Sequence, residues 1–200
     1  MMAEFPIKRP IPKLLHVPFK VLLFPQYLAK NMQKLKLSDA AAGTVTLHEP
    51  CKSAYTGVDL NGARDVLRQL PGVALREMPH HGEDTRCCGS GAICWYPQSA
   101  HQVREEQLKE VAQTGADRLV AVCHYCNQTF AAEEQRYNFK VTNYVSLVAK
   151  AMNIKRDDKF KKYSSWKDLK RIMSDAAENI AGFPFERKHI IEVLKTVFIH

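Results

Sequence analysis

Five of the six cysteines in this 200-residue chain fall into a pattern. Cys51 stands alone, Cys87 and Cys88 are adjacent, and Cys123 and Cys126 form a CxxC pair. A disulfide between neighbours is strained and a hydrophobic core has no use for paired thiols, so the doublet points to chemistry. Cys51 and Cys87 are 36 residues apart, and Cys88 and Cys123 are 35 apart. Each gap matches one strand–helix–strand unit, about 30 residues or more. A structural zinc takes four ligands, usually from two CxxC knuckles, and an ordinary cubane cluster also takes four. A multi-iron centre can use a fifth, because adjacent cysteines reach different irons or one sulfur bridges two. Gly89 and Gly91 follow the doublet. Lacking Cβ atoms, they let the backbone approach a cluster and aim amides at its sulfurs, which raises the reduction potential.

Other residues near the pattern could assist. His80, His81 and His124 are candidate proton donors to a leaving thiolate, since imidazole titrates near neutral pH. The plain alternative is that they only shape or solvate the loops. Cys94, in "AICWYP", lies outside the pattern and reads as packing. Trp95 and Tyr96 read as shields that limit exposure of the centre, with aromatic packing as the alternative. No single nucleophile stands out among the clustered thiols, which argues against Cys–His protease chemistry.

These residues need a scaffold that brings three distant segments together. "TVTLH" (44–48) is a β-branched run closed by Pro50, and residues 62–70 carry Ala63, Val66, Leu67 and Leu70 on one helical face ahead of Pro71-Gly72. A second strand is predicted at 73–78, a helix at 98–113, a buried strand at 118–122, a helix at 126–136, a strand at 140–144 and a helix at 144–152. Alternating strands and helices imply an α/β fold, a small parallel sheet with right-handed crossovers. Parallel strands end at one edge, where open α/β sheets bind ligands. Cys51, Cys87, Cys88, Cys123 and Cys126 all follow strand ends, so they should converge there.

Residues 1–43 contain five prolines and read as an extended basic arm, with one helix over 25–36. The expected domain spans 44–152. Residues 153–200 form a basic helical extension, with helices over 166–180 and 186–197. Residues 1–40 carry a net charge of +5, residues 41–151 of −1, and residues 152–200 of +4. A nearly neutral centre between basic segments suits docking on an acidic partner or a membrane surface, although charge runs are often only solvated faces. No aromatic residues interleave with the basic ones, so nucleic acid is not an expected partner. The first residues lack the apolar region of a signal peptide, and the apolar stretch 14–29 is too short and carries His16, Lys20 and two prolines, so it cannot span a bilayer. The reading is cytoplasmic, where clustered cysteines mean metal or redox work more often than staples.

The motifs "HEPC" (48–51), "CCGSGA" (87–92) and "CHYC" (123–126) resemble the CCG cysteine-rich domain of the heterodisulfide reductase B/D subunit family. The resemblance covers residues 44–152. Related domains occur in glycerol-3-phosphate and lactate oxidation proteins and in sulfite-reduction complexes. It implies that Cys51, Cys87, Cys88, Cys123 and Cys126 hold a non-cubane [4Fe-4S] cluster at which a disulfide is cleaved and reduced. The chain departs from the family in carrying one such motif rather than two, no ferredoxin-like cysteine run, and Ser90 and Ala92 where glycine is frequent. The expected function is an iron–sulfur subunit of an oxidoreductase complex, either free in the cytoplasm or peripheral to a membrane. It would pass electrons between a ferredoxin-like or flavin-containing partner, docked on the basic arms, and a thiol or disulfide. Two alternatives stand beside it: a structural or regulatory zinc module serving as an assembly surface, and a metal-free dithiol protein exchanging disulfides.

Overall fold

The computed structural model describes residues 21–199. Four strands build the sheet: β1 (Gly43–His48), β2 (Val73–Leu75), β3 (Arg118–Ala121) and β4 (Lys140–Asn143). All pairings are parallel and the spatial order is β2-β1-β3-β4. The chain moves outward from β1 to β2, crosses back to β3 on the other side, and continues to β4. The direction therefore reverses between β1 and β3, which are paired from Val45↔Arg118 to His48↔Ala121. In such sheets the crevice beyond the C-terminal ends of the two central strands is the usual ligand site.

Helices cover both faces. On one side α1 (Phe24–Asn31), α3 (Gly62–Arg68) and α6 (Tyr144–Ala151) bury Met32, Val66, Leu67, Leu147 and Ala151 against Val45 and Leu47 of β1. On the other, α4 (Pro97–Gln113) and α5 (His124–Ala131) bury Leu108, Val111 and Phe130 against Leu119 and Ala121 of β3. Successive strand residues face opposite ways, so the alternation of Val45 and Leu47 with Thr46 and His48 assigns the two layers directly. α2 (Cys51–Thr56) follows β1.

The predicted elements are present with shifted ends. β2 stops at Leu75 rather than continuing to residue 78, because Arg76 donates the last backbone bond to Val45 and the chain then turns inward to bury Met78. The helix expected at 126–136 begins at His124 and ends at Ala131, with a separate tight turn at Glu134–Arg136. The six-residue α2 has no counterpart among the predicted elements. Of the extended arm read at 1–43, residues 1–20 lie outside the described residues. From Phe24 on the segment is not free of the core: Met32 and Ala41 are 2% and 0% exposed, and Leu28, Leu35 and Leu37 pack beside them. Their spacing among lysines and prolines conceals an apolar face.

The chain divides into two compact units between Lys155 and Arg156. The second contains α7 (Lys159–Trp166), α8 (Leu169–Asp175), α9 (Ala177–Ala181) and α10 (Arg187–Phe198), so the single helix read at 166–180 is two helices with a further one before it. Tyr163 and Ile172 are its buried residues, and Asp175 accepts hydrogen bonds from Tyr163 Oη at 2.8 Å and Lys162 Nζ at 2.7 Å. No helix of the described residues is long and apolar enough to cross a membrane.

Candidate metal centre

The loops after β1, β2 and β3 carry the thiols to the same rim. β1 ends at His48, and Glu49-Pro50 turns the chain so that Cys51 opens α2. Cys87 and Cys88 lie in the long loop between β2 and α4. Cys123 caps α5, and Cys126 sits in its first turn. The five sulfurs form one string of side-chain contacts, Cys51 to Cys87, Cys87 to Cys88, Cys88 to Cys126 and Cys126 to Cys123. Cys88 and Cys126 are buried, Cys51, Cys87 and Cys123 are half-buried, and Cys94 is exposed and outside the string. The packing role read for Cys94 is therefore corrected: the turn that follows Ala92 faces it to solvent.

Protons are divided unequally along this string. The Cys51 thiol, and then that of Cys88, donate to Cys87 and pull it down to about 2. Cys126 is lowered to about 5, first by the Cys88 thiol and also by His48. Cys51 is raised by its bond to Cys87, Cys88 by its bond to Cys126, and Cys123 by burial. Backbone amides are aimed at the sulfurs too. Gly89 N–H reaches Cys87 Sγ at 3.4 Å, Lys52 serves Cys51, Ser90 serves Cys88, and Tyr125 and Cys126 serve Cys123. Thiolate is the form that ligates metal, and of the five sulfurs the arrangement favours it at Cys87 and Cys126.

Buried ion pairs brace the loops. Glu49, beside Pro50 and Cys51, pairs with Arg64 of α3, with side-chain exposures of 3% and 6%. It also accepts from the Gly82 amide at 3.1 Å, which ties the first cysteine loop to the second. Arg64 Nε binds Glu77 at 2.6 Å. Burial pushes the Glu77 carboxyl up, but the guanidinium outweighs it and holds the group below the ordinary range. α4 grips the doublet from the other side through Arg104 Nε, 3.4 Å from the Cys88 carbonyl oxygen. Gly89 packs so closely on α4 that a Cβ would lie 2.4 Å from the Ala100 carbonyl oxygen, and its φ is +80°. Gly91 differs, since a Cβ there would meet nothing within 4 Å. Gly89 is thus required by its packing on α4, whereas no protein atom crowds Gly91.

The three histidines singled out in the sequence have other engagements. His80 Nδ1 lies 2.7 Å from Glu110, His81 Nδ1 donates to the Met78 carbonyl at 2.6 Å, and His124 is exposed with Nε2 2.7 Å from the Gln128 amide. His48 is the histidine that joins the sulfurs. One of its ring nitrogens and the sulfurs of Cys88 and Cys126 all lie within 4.8 Å of one another, and all three residues are buried. The signal was present in "HEPC" and in the strand alternation that turns His48 to the α5 face. Trp95 and Tyr96 are 78% and 69% exposed, so their rings stand in solvent rather than packed over the sulfurs. Tyr55 and Tyr125 are likewise exposed, at 70% and 69%.

Comparison with known proteins agrees with this geometry. The family model "Cysteine-rich domain" (CCG) matches residues 45–131. The D subunit of dihydromethanophenazine:CoB–CoM heterodisulfide reductase from Methanosarcina barkeri is 32% identical over 152 residues, covering 72% of this chain and 37% of that protein. A probable iron-sulfur-binding oxidoreductase, FadF, of Bacillus subtilis is 24% identical over 131 residues, 62% of this chain and 18% of that one. Lactate utilization protein A 1 of Bacillus mycoides is 23% identical over 136 residues, 67% of this chain and 54% of that one. The chain thus spans little more than a third of the length of its heterodisulfide reductase relatives. Residues 45–131 match the CCG cysteine-rich domain model, and over 152 residues the chain is homologous to the heterodisulfide reductase D subunit.

Proposed function

We propose that this chain is an iron–sulfur subunit of an oxidoreductase complex and that Cys51, Cys87, Cys88, Cys123 and Cys126 hold its cluster. The observation that carries the reading is the continuous string of five sulfurs contributed by three segments. The donor set fits a multi-iron centre. It offers five thiolates where a single tetrahedral ion needs four, two of them from adjacent residues that can serve neighbouring metal atoms. A non-cubane [4Fe-4S] cluster is the centre proposed, and when bound it would supply the electrons that reduce a disulfide to two thiols.

The protein's own residues have definable tasks around it. Cys88 and Cys126 anchor the centre in the core, and the amides of Lys52, Gly89, Ser90 and Tyr125 stabilise negative charge on sulfur. The half-buried sulfurs and the exposed rings of Tyr55, Trp95 and Tyr125 mark the side from which a substrate or partner approaches. A cavity of about 270 Å³ opens next to the Cys51 loop, lined in part by Glu49, Pro50, Ser53, Asp59 and Tyr144, and could admit a small substrate. A proton for a leaving thiolate would come from His80, His81 or His124. Ferredoxin-like or flavin-containing subunits are the proposed partners, reached through the basic segments, in the cytoplasm or on a membrane-associated complex.

One observation favours a second reading. The buried trio of His48, Cys88 and Cys126 is a mixed nitrogen and sulfur set of the kind zinc uses, needing one more sulfur to close a tetrahedron. Anaerobic purification with iron, zinc and sulfide analysis separates the two. Brown protein with about four irons per chain supports the cluster. Colourless protein with one zinc supports the second reading, and metal-free protein with reactive thiols after anaerobic reconstitution rejects both.

A further inference from the structure

His48 is fully buried, at 0% exposure, and neither ring nitrogen is satisfied by an oxygen or nitrogen partner; the groups it faces are the Cys88 and Cys126 sulfurs. Leaving a polar group unsatisfied in a core costs about 1–3 kcal/mol, so such groups need an explanation. Packing does not supply one. The site is lined by Phe130, whose ring meets the imidazole edge-on at 4.8 Å between centroids and 84° between planes, and a leucine would fill the same space without the penalty. Phe130 does fix the ring, and the fixed ring presents a nitrogen within 4.8 Å of the Cys88 and Cys126 sulfurs. The strand enforces this. β1 pairs with β3 through His48↔Ala121, so the imidazole projects from the last paired residue of the central strand directly under the rim.

We infer that His48 donates a hydrogen bond from its ring N–H to the sulfur of Cys126 or Cys88 once the centre is bound, and that this bond raises the reduction potential of the centre. The inference rests on the iron–sulfur reading above. It adds a positioning and tuning residue that is not one of the five thiols. A neutral imidazole has one N–H, and within 4.8 Å of a ring nitrogen lie the Cys88 and Cys126 sulfurs, which gain negative charge on reduction when they ligate the centre. A donor to such a sulfur stabilises the reduced centre more than the oxidised one.

The test uses the reconstituted full chain. His48→Leu keeps the volume and removes the donor, and His48→Gln returns an amide N–H. Redox titration followed by EPR should give a more negative midpoint for His48→Leu, with His48→Gln between it and the native protein. In native protein labelled with 15N-histidine, pulsed EPR should show a weak nitrogen coupling that survives His124→Ala and disappears in His48→Gln. Unchanged midpoints, or no coupling assignable to His48, would overturn the inference while leaving the cluster in place. A strong coupling of the size given by a nitrogen bound to iron would overturn it also, making His48 a ligand instead of a donor. A chain that takes up no iron ends the iron–sulfur reading and this inference together.

Discussion

The centre has an inner and an outer half. Cys88 and Cys126 are each 3% exposed and pack with Leu108, Leu119 and Phe130, whereas Cys51, Cys87 and Cys123 are half-buried on loop ends and helix starts. The inner sulfurs owe their positions to the hydrophobic layer beneath α4 and α5. The outer ones owe theirs to backbone amides and to the Glu49–Arg64–Glu77 group that braces the loops. A rigid floor with an accessible lip suits a centre that must be held firmly and still be reached from solvent. It also means that the two halves should fail in different ways.

The largest difference should come from the thiols themselves. Replacing any of the five with serine should abolish the colour of the reconstituted protein, and Cys94→Ser should keep it. Before reconstitution the halves should separate: Cys88→Ser buries a hydroxyl and should lower stability by about 1–3 kcal/mol in denaturant titration, while Cys51→Ser should stay within about 0.5 kcal/mol. Equal losses at the two positions would erase the distinction between floor and lip. Next in size is the brace. Arg64→Ala strands the buried Glu49 carboxylate and should cost about 3–5 kcal/mol. The same pairing gives an acid dependence. Glu77 is held below its ordinary value, so its contribution is intact above about pH 4.3 and is lost as pH falls through the lowered value. Thermal melts of the native protein from pH 7 to 3 should show that loss, reduced in Arg64→Ala.

Smaller effects sharpen the geometry of the doublet loop. Gly89→Ala forces a side chain into left-handed backbone against the Ala100 carbonyl and should cost about 1–3 kcal/mol, whereas Gly91→Ala should be nearly silent. The smallest perturbation is chemical labelling of the unreconstituted chain. Cys94 should alkylate first, Cys51, Cys87 and Cys123 later, and Cys88 and Cys126 last, read by mass spectrometry of timed digests.

Much of this organisation is visible in the residues before any coordinates. Strand–helix alternation and the spacing of the thiols near one strand–helix–strand length are enough to place Cys51, Cys87, Cys88, Cys123 and Cys126 at one rim, because parallel strands leave no other edge for their loops. What stays hidden depends on contacts rather than on period. The helix at Cys51–Thr56 has no apolar stripe, and it forms because Pro50 starts it and left-handed Gly57 ends it. Residues 24–42 look like an arm until Met32 and Ala41 are seen in the core. His124 stands beside Cys123 in the chain and His80 and His81 lie seven and six residues before the doublet, whereas His48 reaches the Cys88 and Cys126 sulfurs only through the fold. Gly91 shares its neighbour's identity and not its surroundings.

The claim beneath all of this is that three separated stretches of chain clasp a single metal–sulfide body. Anomalous diffraction at the iron edge from anaerobically grown, reconstituted crystals tests it most directly. One multi-iron feature bonded to the sulfurs of Cys51, Cys87, Cys88, Cys123 and Cys126 is the expected result. Iron confined to the Cys123–Cys126 pair, iron elsewhere in the chain, or a lone zinc beside His48 would contradict it.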